Sequence, residues 1–127
     1  MARPTRASPS ARNPGSRAYC PDEGDVIWID LDPQAGHEQA GRRPALVITP
    51  KAYNAATGLC IACPVTNQAK GYPFEVAFPQ GSGATGVVLS DHLKSLDWAT
   101  RRATLLVQAP QPVLAEVRAK MKALLRT

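Results

Sequence analysis

The chain has 127 residues and a formal net charge of +5, with 44% hydrophobic and 20% charged residues. That is enough chain for one buried core and too little for two. No apolar run approaches the roughly 18 residues that a membrane span needs, and the basic stretch Met1 to Arg17 lacks the apolar centre of a secretory signal, so a single cytoplasmic domain is expected.

Residues 1–18 read as a disordered basic tail. The run ARPTRASPSARNPGSR is rich in Pro, Ser and Arg, and without large apolar groups it has nothing to bury against the entropy of ordering. Arg3, Arg6, Arg12 and Arg17 precede the first acidic residue, Asp22, which leaves eleven basic and ten acidic groups for residues 19–127. The tail either lends weak nonspecific attraction to RNA or is an inert extension. Basic surface on the domain 19–127 must come from clustering of charges, not from bulk composition.

From Asp25 onward, short β-rich runs alternate with turn residues, the pattern of a small, mostly antiparallel barrel. Strands are predicted over 25–30, 45–49, 59–65, 74–78, 86–89 and 104–107, punctuated by Pro33, Gly36, Gly41, Gly58, Gly71, Gly81 and Gly83. Lys51 to Thr57 suits one helical turn closed by Gly58. After Pro110-Gln111-Pro112 the period changes. Val113, Leu114, Val117, Met121, Leu124 and Leu125 fall at helical spacing with Arg118, Lys120 and Lys122 between them, which predicts an amphipathic helix whose apolar stripe closes one side of the barrel. Trp28, in an alternating strand, is either core or a dimer contact.

Cys20, Cys60 and Cys63 are too few for a disulfide framework. Cys60 and Cys63 form a CxxC inside LCIACPV, which reads as a strand, and strand positions three apart point to opposite faces. The two thiols therefore do not converge on one metal, and no second Cys/His pair accompanies them. Structural cysteines, and no metal or other cofactor, are expected.

Chemistry concentrates in the loops. Gly24 to Pro50, GDVIWIDLDPQAGHEQAGRRPALVITP, gathers His37, Glu38, Arg42 and Arg43 between two apolar strands, a set suited to proton transfer or anion binding. Asn67 to Pro73, NQAKGYP, pairs a cation, Lys70, with a ring, Tyr72. That composition fits a phosphate beside a stacked base, and equally a plain surface turn.

Together with PVTNQAKGYPFEV (64–76) and TGVVLSDHLKSLDW (85–98), the first of these segments resembles the MazF/PemK family of endoribonuclease toxins from bacterial type II toxin–antitoxin modules. The likeness runs from about Tyr19 to the C-terminus. It implies an SH3-like barrel with a C-terminal helix, sequence-selective and metal-independent cleavage of single-stranded mRNA that halts translation, a homodimer, and neutralisation by a cognate MazE/PemI-like antitoxin. In the implied reaction the ribose 2′-OH attacks the adjacent phosphorus, leaving a 2′,3′-cyclic phosphate and a 5′-OH. The protein then supplies a base, an acid and donors for the equatorial oxygens, with no nucleophile of its own.

The resemblance distributes these roles. Arg43, in the R-P pair with Pro44, matches the family's catalytic arginine; a guanidinium grips two phosphate oxygens but is a poor acid, so charge stabilisation comes first. Glu38, in the shared GHEQAG, either takes the 2′-OH proton or holds Arg43 in place. Its neighbour His37 is a proton carrier near neutral pH or an exposed loop residue. Thr66, in PVTNQ, matches an active-site threonine whose hydroxyl donates to phosphate, or it caps the strand. Asp91, in LSDHLKS, matches an aspartate implicated in part of the family, and Leu89 stands where PemK-like members place an arginine. Arg42, Asn67, Gln68, Lys70, Tyr72, His92 and Lys94 are the candidate RNA-binding set.

Two further functions compete. A nuclease-inactive topoisomerase poison of CcdB type on the same barrel would lack the GHEQAGRRP and PVTNQ loops, and both are present. A general RNA-binding module would gain little from Glu38 or Asp91.

Overall fold

The computed structural model describes residues 19–31 and 41–127. The basic tail and the loop segment that carries Pro33, Gly36, His37 and Glu38 lie outside the described residues.

An antiparallel sheet of seven strands forms from β1 (Asp25–Asp30), β2 (Arg42–Val47), β3 (Leu59–Thr66), β4 (Glu75–Ala77), β5 (Val87–Leu89), β6 (Lys94–Asp97) and β7 (Thr104–Gln108). The short helix α1 (Lys51–Thr57) connects β2 to β3, and α2 (Gln111–Leu125) ends the chain. The strand order is β4-β5-β3-β2-β1-β7, with β6 also paired to β3. β3 is the pivot. One edge meets β2 at Ala62 to Pro64, while the other is shared between β6, at Leu59 to Ala62, and β5, at Val65 and Thr66. The sheet curls as the expected barrel does, and among the described residues no ladder closes β4 onto β7.

Alternation along the strands gives the sheet two apolar faces. Val26, Leu46, Cys63 and Val65 join Val76, Phe78, Ala84 and Val88 under α2, which contributes Val113, Leu114, Val117 and Met121. On the other face Ile27, Ile29, Ala45, Val47, Cys60 and Ala62 pack with Leu96 and with the partly buried Tyr19, Leu31, Trp98 and Ala103. Each large aliphatic side chain so buried contributes about 1.5–3 kcal/mol. Cys60 and Cys63 sit in different clusters, on opposite faces of β3, as free thiols.

Several boundaries differ from the sequence expectation for physical reasons. β2 starts at Arg42 instead of Ala45, because Ile29 and Asp30 pair with Arg43 and Arg42 and extend the ladder into the R-R-P segment. It stops at Val47 because the Thr49 hydroxyl, at 3.0 Å, accepts the Ile61 N–H in place of a backbone carbonyl. β6 was not foreseen, since KSLD offers one buried apolar residue, Leu96, and so little periodicity. The helical turn over Lys51–Thr57 forms as a seven-residue helix, and Gly58 closes it at φ 75°, donating to the Asn54 carbonyl at 2.9 Å. In α2 the covered stripe ends at Met121, so Leu124 and Leu125 are exposed, unlike the core role expected of them. Trp28 is also partly exposed, at 38%.

Candidate active site at one end of the sheet

The end of β1, the start of β2, the end of β3 and the starts of β6 and β7 meet at one end of the sheet, because all neighbouring pairs are antiparallel. Leu31 and Gly41, which bracket the segment outside the described residues, are joined there by the Leu31 N–H on the Gly41 carbonyl at 2.7 Å. His37 and Glu38 lie outside the described residues.

Arg43 is exposed, on the strand face it shares with Ala45 and Val47. Among the described residues its guanidinium has no hydrogen-bond or ion-pair partner. Thr66 is half-buried at the end of β3, on the face it shares with Cys60 and Ala62. The β2–β3 ladder ends with Ala45 opposite Pro64, beyond which β3 pairs with β5, so Arg43 and Thr66 each lie two residues past the last paired position, at the same end of their strands. The Thr66 hydroxyl accepts the Gln68 N–H at 3.1 Å, which leaves its own proton for a ligand. Lys94, directly opposite Ala62, adds an exposed cation to the same face.

The loop that follows Thr66 is held in shape from within. The Glu75 carboxylate accepts the Lys70 N–H at 3.0 and 3.2 Å and the Gly71 N–H at 3.0 Å, and Thr85 donates to the Asn67 side-chain oxygen at 3.0 Å. Asn67, Gln68, Lys70 and Tyr72 are all exposed on it, Tyr72 at 58%. Gly86, at φ +89°, lies so close under this turn that a Cβ there would stand 2.3 Å from the Thr66 carbonyl oxygen and 2.8 Å from the Asn67 Oδ1. Asp91, half-buried, and His92, exposed, occupy the turn between β5 and β6, 3.7 Å apart across their facing side-chain atoms. Ser90 anchors that turn through its hydroxyl on the Phe74 carbonyl.

Arg42, one of the candidate RNA-binding residues, is held by partners within the protein. Its Nη1 donates to Asp30 Oδ1 at 3.1 Å, and its Nη2 donates to the Arg102 carbonyl at 2.9 Å and the Thr104 hydroxyl at 3.2 Å. Arg102 also donates to the Asp30 carboxylate, through Nε at 2.8 Å and Nη2 at 3.2 Å, while Arg101 Nη1 grips the carbonyls of Asp30 and Leu31 at 2.8 and 2.9 Å. The two guanidiniums, Arg102 first, hold the Asp30 carboxyl below its ordinary pKa. Asp30, Arg101, Arg102, Glu75 and Gly86 escaped the sequence reading. The available signal was a carboxylate ending the strand DVIWID, two residues before another aspartate and ahead of the pairs Arg42-Arg43 and Arg101-Arg102.

Among the described residues no three His, Cys, Asp or Glu side chains gather closely enough to hold a metal ion. No described helix is long and apolar enough to cross a membrane.

The family model for "PemK-like, MazF-like toxin of type II toxin-antitoxin system" matches residues 22–125. The chain belongs to this toxin family. It is 47% identical over 107 residues to the endoribonuclease toxin MazF of Escherichia coli K12, covering 84% of this chain and 96% of that protein. Among solved structures, MazF (Form-I) of Deinococcus radiodurans superposes with a TM-score of 0.79 at 60% identity, covering 87% of this chain and all of the other. The MazE-MazF complex (Form-II) of the same organism gives 0.78 at 54% identity, with 87% and 99% covered. Arg43, Thr66 and the loops around them all fall within the matched span of this MazF-like chain.

Proposed function

We propose that this chain is a sequence-selective, metal-independent endoribonuclease toxin that cuts single-stranded mRNA. The observation that carries the site assignment is that Arg43 and Thr66 both lie just beyond the last β2–β3 pair, Ala45 and Pro64, at one end of the sheet, as a guanidinium with no partner among the described residues and a hydroxyl with a proton to give. The substrate's 2′-OH forms the new O–P bond as the P–O5′ bond breaks. Its proton passes to a base on the loop of His37 and Glu38, and a proton is delivered to the leaving 5′ oxygen. Arg43 and Thr66 stabilise the charge that grows on the equatorial oxygens. Glu38, His37, Arg43 and Asp91 share the acid and base roles among them.

Asn67, Gln68, Lys70, Tyr72, His92 and Lys94 line the path along which RNA leaves the site, with Tyr72 exposed enough to stack on a splayed base. The protein acts in the cytoplasm, where its mRNA substrate is, as a homodimer controlled by an antitoxin of MazE/PemI type. The similarity to the MazE-MazF complex supports the antitoxin. Family membership favours this function over a CcdB-like topoisomerase poison.

Incubating the purified protein with a long RNA in EDTA, then mapping the new ends by primer extension and testing for cyclic phosphate, examines the proposal directly. Discrete cuts leaving 2′,3′-cyclic phosphate and 5′-OH ends are expected. Cleavage that vanishes in EDTA and returns with a divalent ion would overturn it.

A further inference from the structure

We propose that Asp30 is a positioning residue that withholds Arg42 from RNA and so leaves Arg43 as the phosphate-binding arginine of the site. The inference rests on the assignment of Arg43 above. Arg42 and Arg43 are consecutive on a strand, so they project to opposite faces of the sheet. Asp30 is the register partner of Arg42 and, with its carboxylate, ion-pairs with both Arg42 and Arg102. Both terminal nitrogens of Arg42 are thereby engaged inside the protein, on Asp30, the Arg102 carbonyl and the Thr104 hydroxyl.

The same residue sits next to the start of the segment that carries His37 and Glu38. Its N–H donates to the Arg101 carbonyl at 3.0 Å, Arg101 binds its carbonyl in return, and the next residue, Leu31, donates to the Gly41 carbonyl. Four arginines at this end of the sheet, 42, 43, 101 and 102, would otherwise offer a polyanion several ways to bind. A chain of phosphates gripped by Arg42 as well as by Arg43 is held tightly and in more than one register, and only one of those sets a 2′-OH in line with the scissile phosphorus. Binding in the other registers does nothing for the reaction.

Asp30→Asn removes the charge while keeping the shape, and its signature is a split between binding and turnover. For the full-length variant, kcat on a long RNA should fall about tenfold or more. Affinity for a 2′-O-methyl oligonucleotide spanning a mapped cut, which lacks the nucleophile, should instead tighten by about threefold at low salt. Its salt dependence should steepen by roughly 0.7 in log–log slope per phosphate newly contacted. Unchanged kcat, or a fall in kcat with unchanged or weaker binding, would overturn the proposal, because loss of structure alone gives the latter. Should Asp30→Asn fail to fold, Arg42→Gln asks the same question of the partner. Its affinity for the same oligonucleotide should stay within about twofold of wild type, and a loss of about tenfold would place Arg42 on the RNA and overturn the idea. Arg43→Ala run beside both separates the two claims. If it cleaves at the wild-type rate, the site assignment itself fails; if it is inactive while Asp30→Asn behaves as wild type, only the role of Asp30 falls.

Discussion

Arg43 and Thr66 lie at the same end of the neighbouring strands β2 and β3, each two residues beyond the last paired position, Ala45 opposite Pro64, and next to the cluster of Ala45, Val47, Cys60 and Ala62. Both are thus carried by strands whose neighbouring residues are packed in the core, while Arg43 is exposed and Thr66 half-buried. A pair positioned in this way loses little by waiting for substrate, which is the condition for effective charge stabilisation. Arg43→Ala should lower cleavage by at least about two orders of magnitude, the usual scale for one such donor, and leave the fold intact. Thr66→Val should cost less, because the hydroxyl is neutral. Single-turnover rates on one mapped RNA, with circular dichroism as the control for folding, check both.

Gly86 should matter to catalysis without touching RNA. At φ +89° an alanine is strained, and its Cβ would meet the Thr66 carbonyl at 2.3 Å, a backbone atom that cannot swing aside. Gly58 is the matched control, since it too is left-handed, at φ +75°, but nothing lies within 4 Å of its added Cβ. Gly58→Ala should cost about 1 kcal/mol from backbone strain alone. Gly86→Ala should cost more, about 1–3 kcal/mol, and should also slow cleavage by shifting Thr66 and Asn67. Equal effects of the two on cleavage would remove Gly86 from the site.

Much of this was legible in the chain because the signals were local. Alternation marked the first strand to the residue, the LCIACPV run placed Cys60 and Cys63 on opposite faces, and Pro112 with the change of period marked the C-terminal helix. What was not legible is what depends on partners distant in sequence. Nothing near Arg42 says that its guanidinium will be spent on residues 102 and 104, or that Glu75 will turn back to bind the amides of Lys70 and Gly71. The exposed Leu124 and Leu125 show the converse. Helical periodicity reports which face is apolar, while how far along that face the sheet extends is decided elsewhere.

Asn54 ties three separated segments together and should be a main determinant of stability. It is fully buried on α1, where its amide nitrogen donates to the carbonyls of Pro21 and Thr49 at 2.8 and 2.9 Å, its oxygen accepts the Thr49 hydroxyl at 2.7 Å, and its carbonyl accepts the Trp98 indole N–H at 3.0 Å. Asn54→Ala strands two carbonyls and a hydroxyl, a loss of about 2–4 kcal/mol. Asn54→Asp should be no better, because a carboxylate cannot donate to those carbonyls. Urea denaturation of the three proteins would measure the difference, and a loss below about 0.5 kcal/mol would contradict the network.

The thiols supply a pH test. Burial pushes Cys60 up to about 11 and Cys63 up to about 12, the latter also by the Asp91 charge. Both stay protonated in the native state while the unfolded chain ionises near about 8.5. Their contribution is therefore fully present below about 8.5 and is lost as pH rises through the native values. Alkylation by iodoacetamide at pH 8 should spare Cys60 and Cys63 in the native protein and modify them in urea. Prompt native labelling of either would show that the core around β3 opens readily.

Antitoxin and RNA should compete for the same end of the sheet. Exposed Arg43, Lys70 and Lys94 gather there, so an acidic segment that mimics phosphates meets the same charges that RNA does. Ordering such a segment costs entropy that charge alone does not offset, and the exposed side chains of Tyr72 and Phe74 provide apolar anchorage next to the cations. The complex should then be only partly salt-sensitive, whereas RNA binding should weaken steeply with salt. Arg43→Ala should weaken both ligands, and Tyr72→Ala should lower antitoxin affinity even at high salt. Titrating antitoxin into the toxin with and without a saturating 2′-O-methyl oligonucleotide provides the measurement, with tight simultaneous binding of both at one protomer as the result that would refute the overlap.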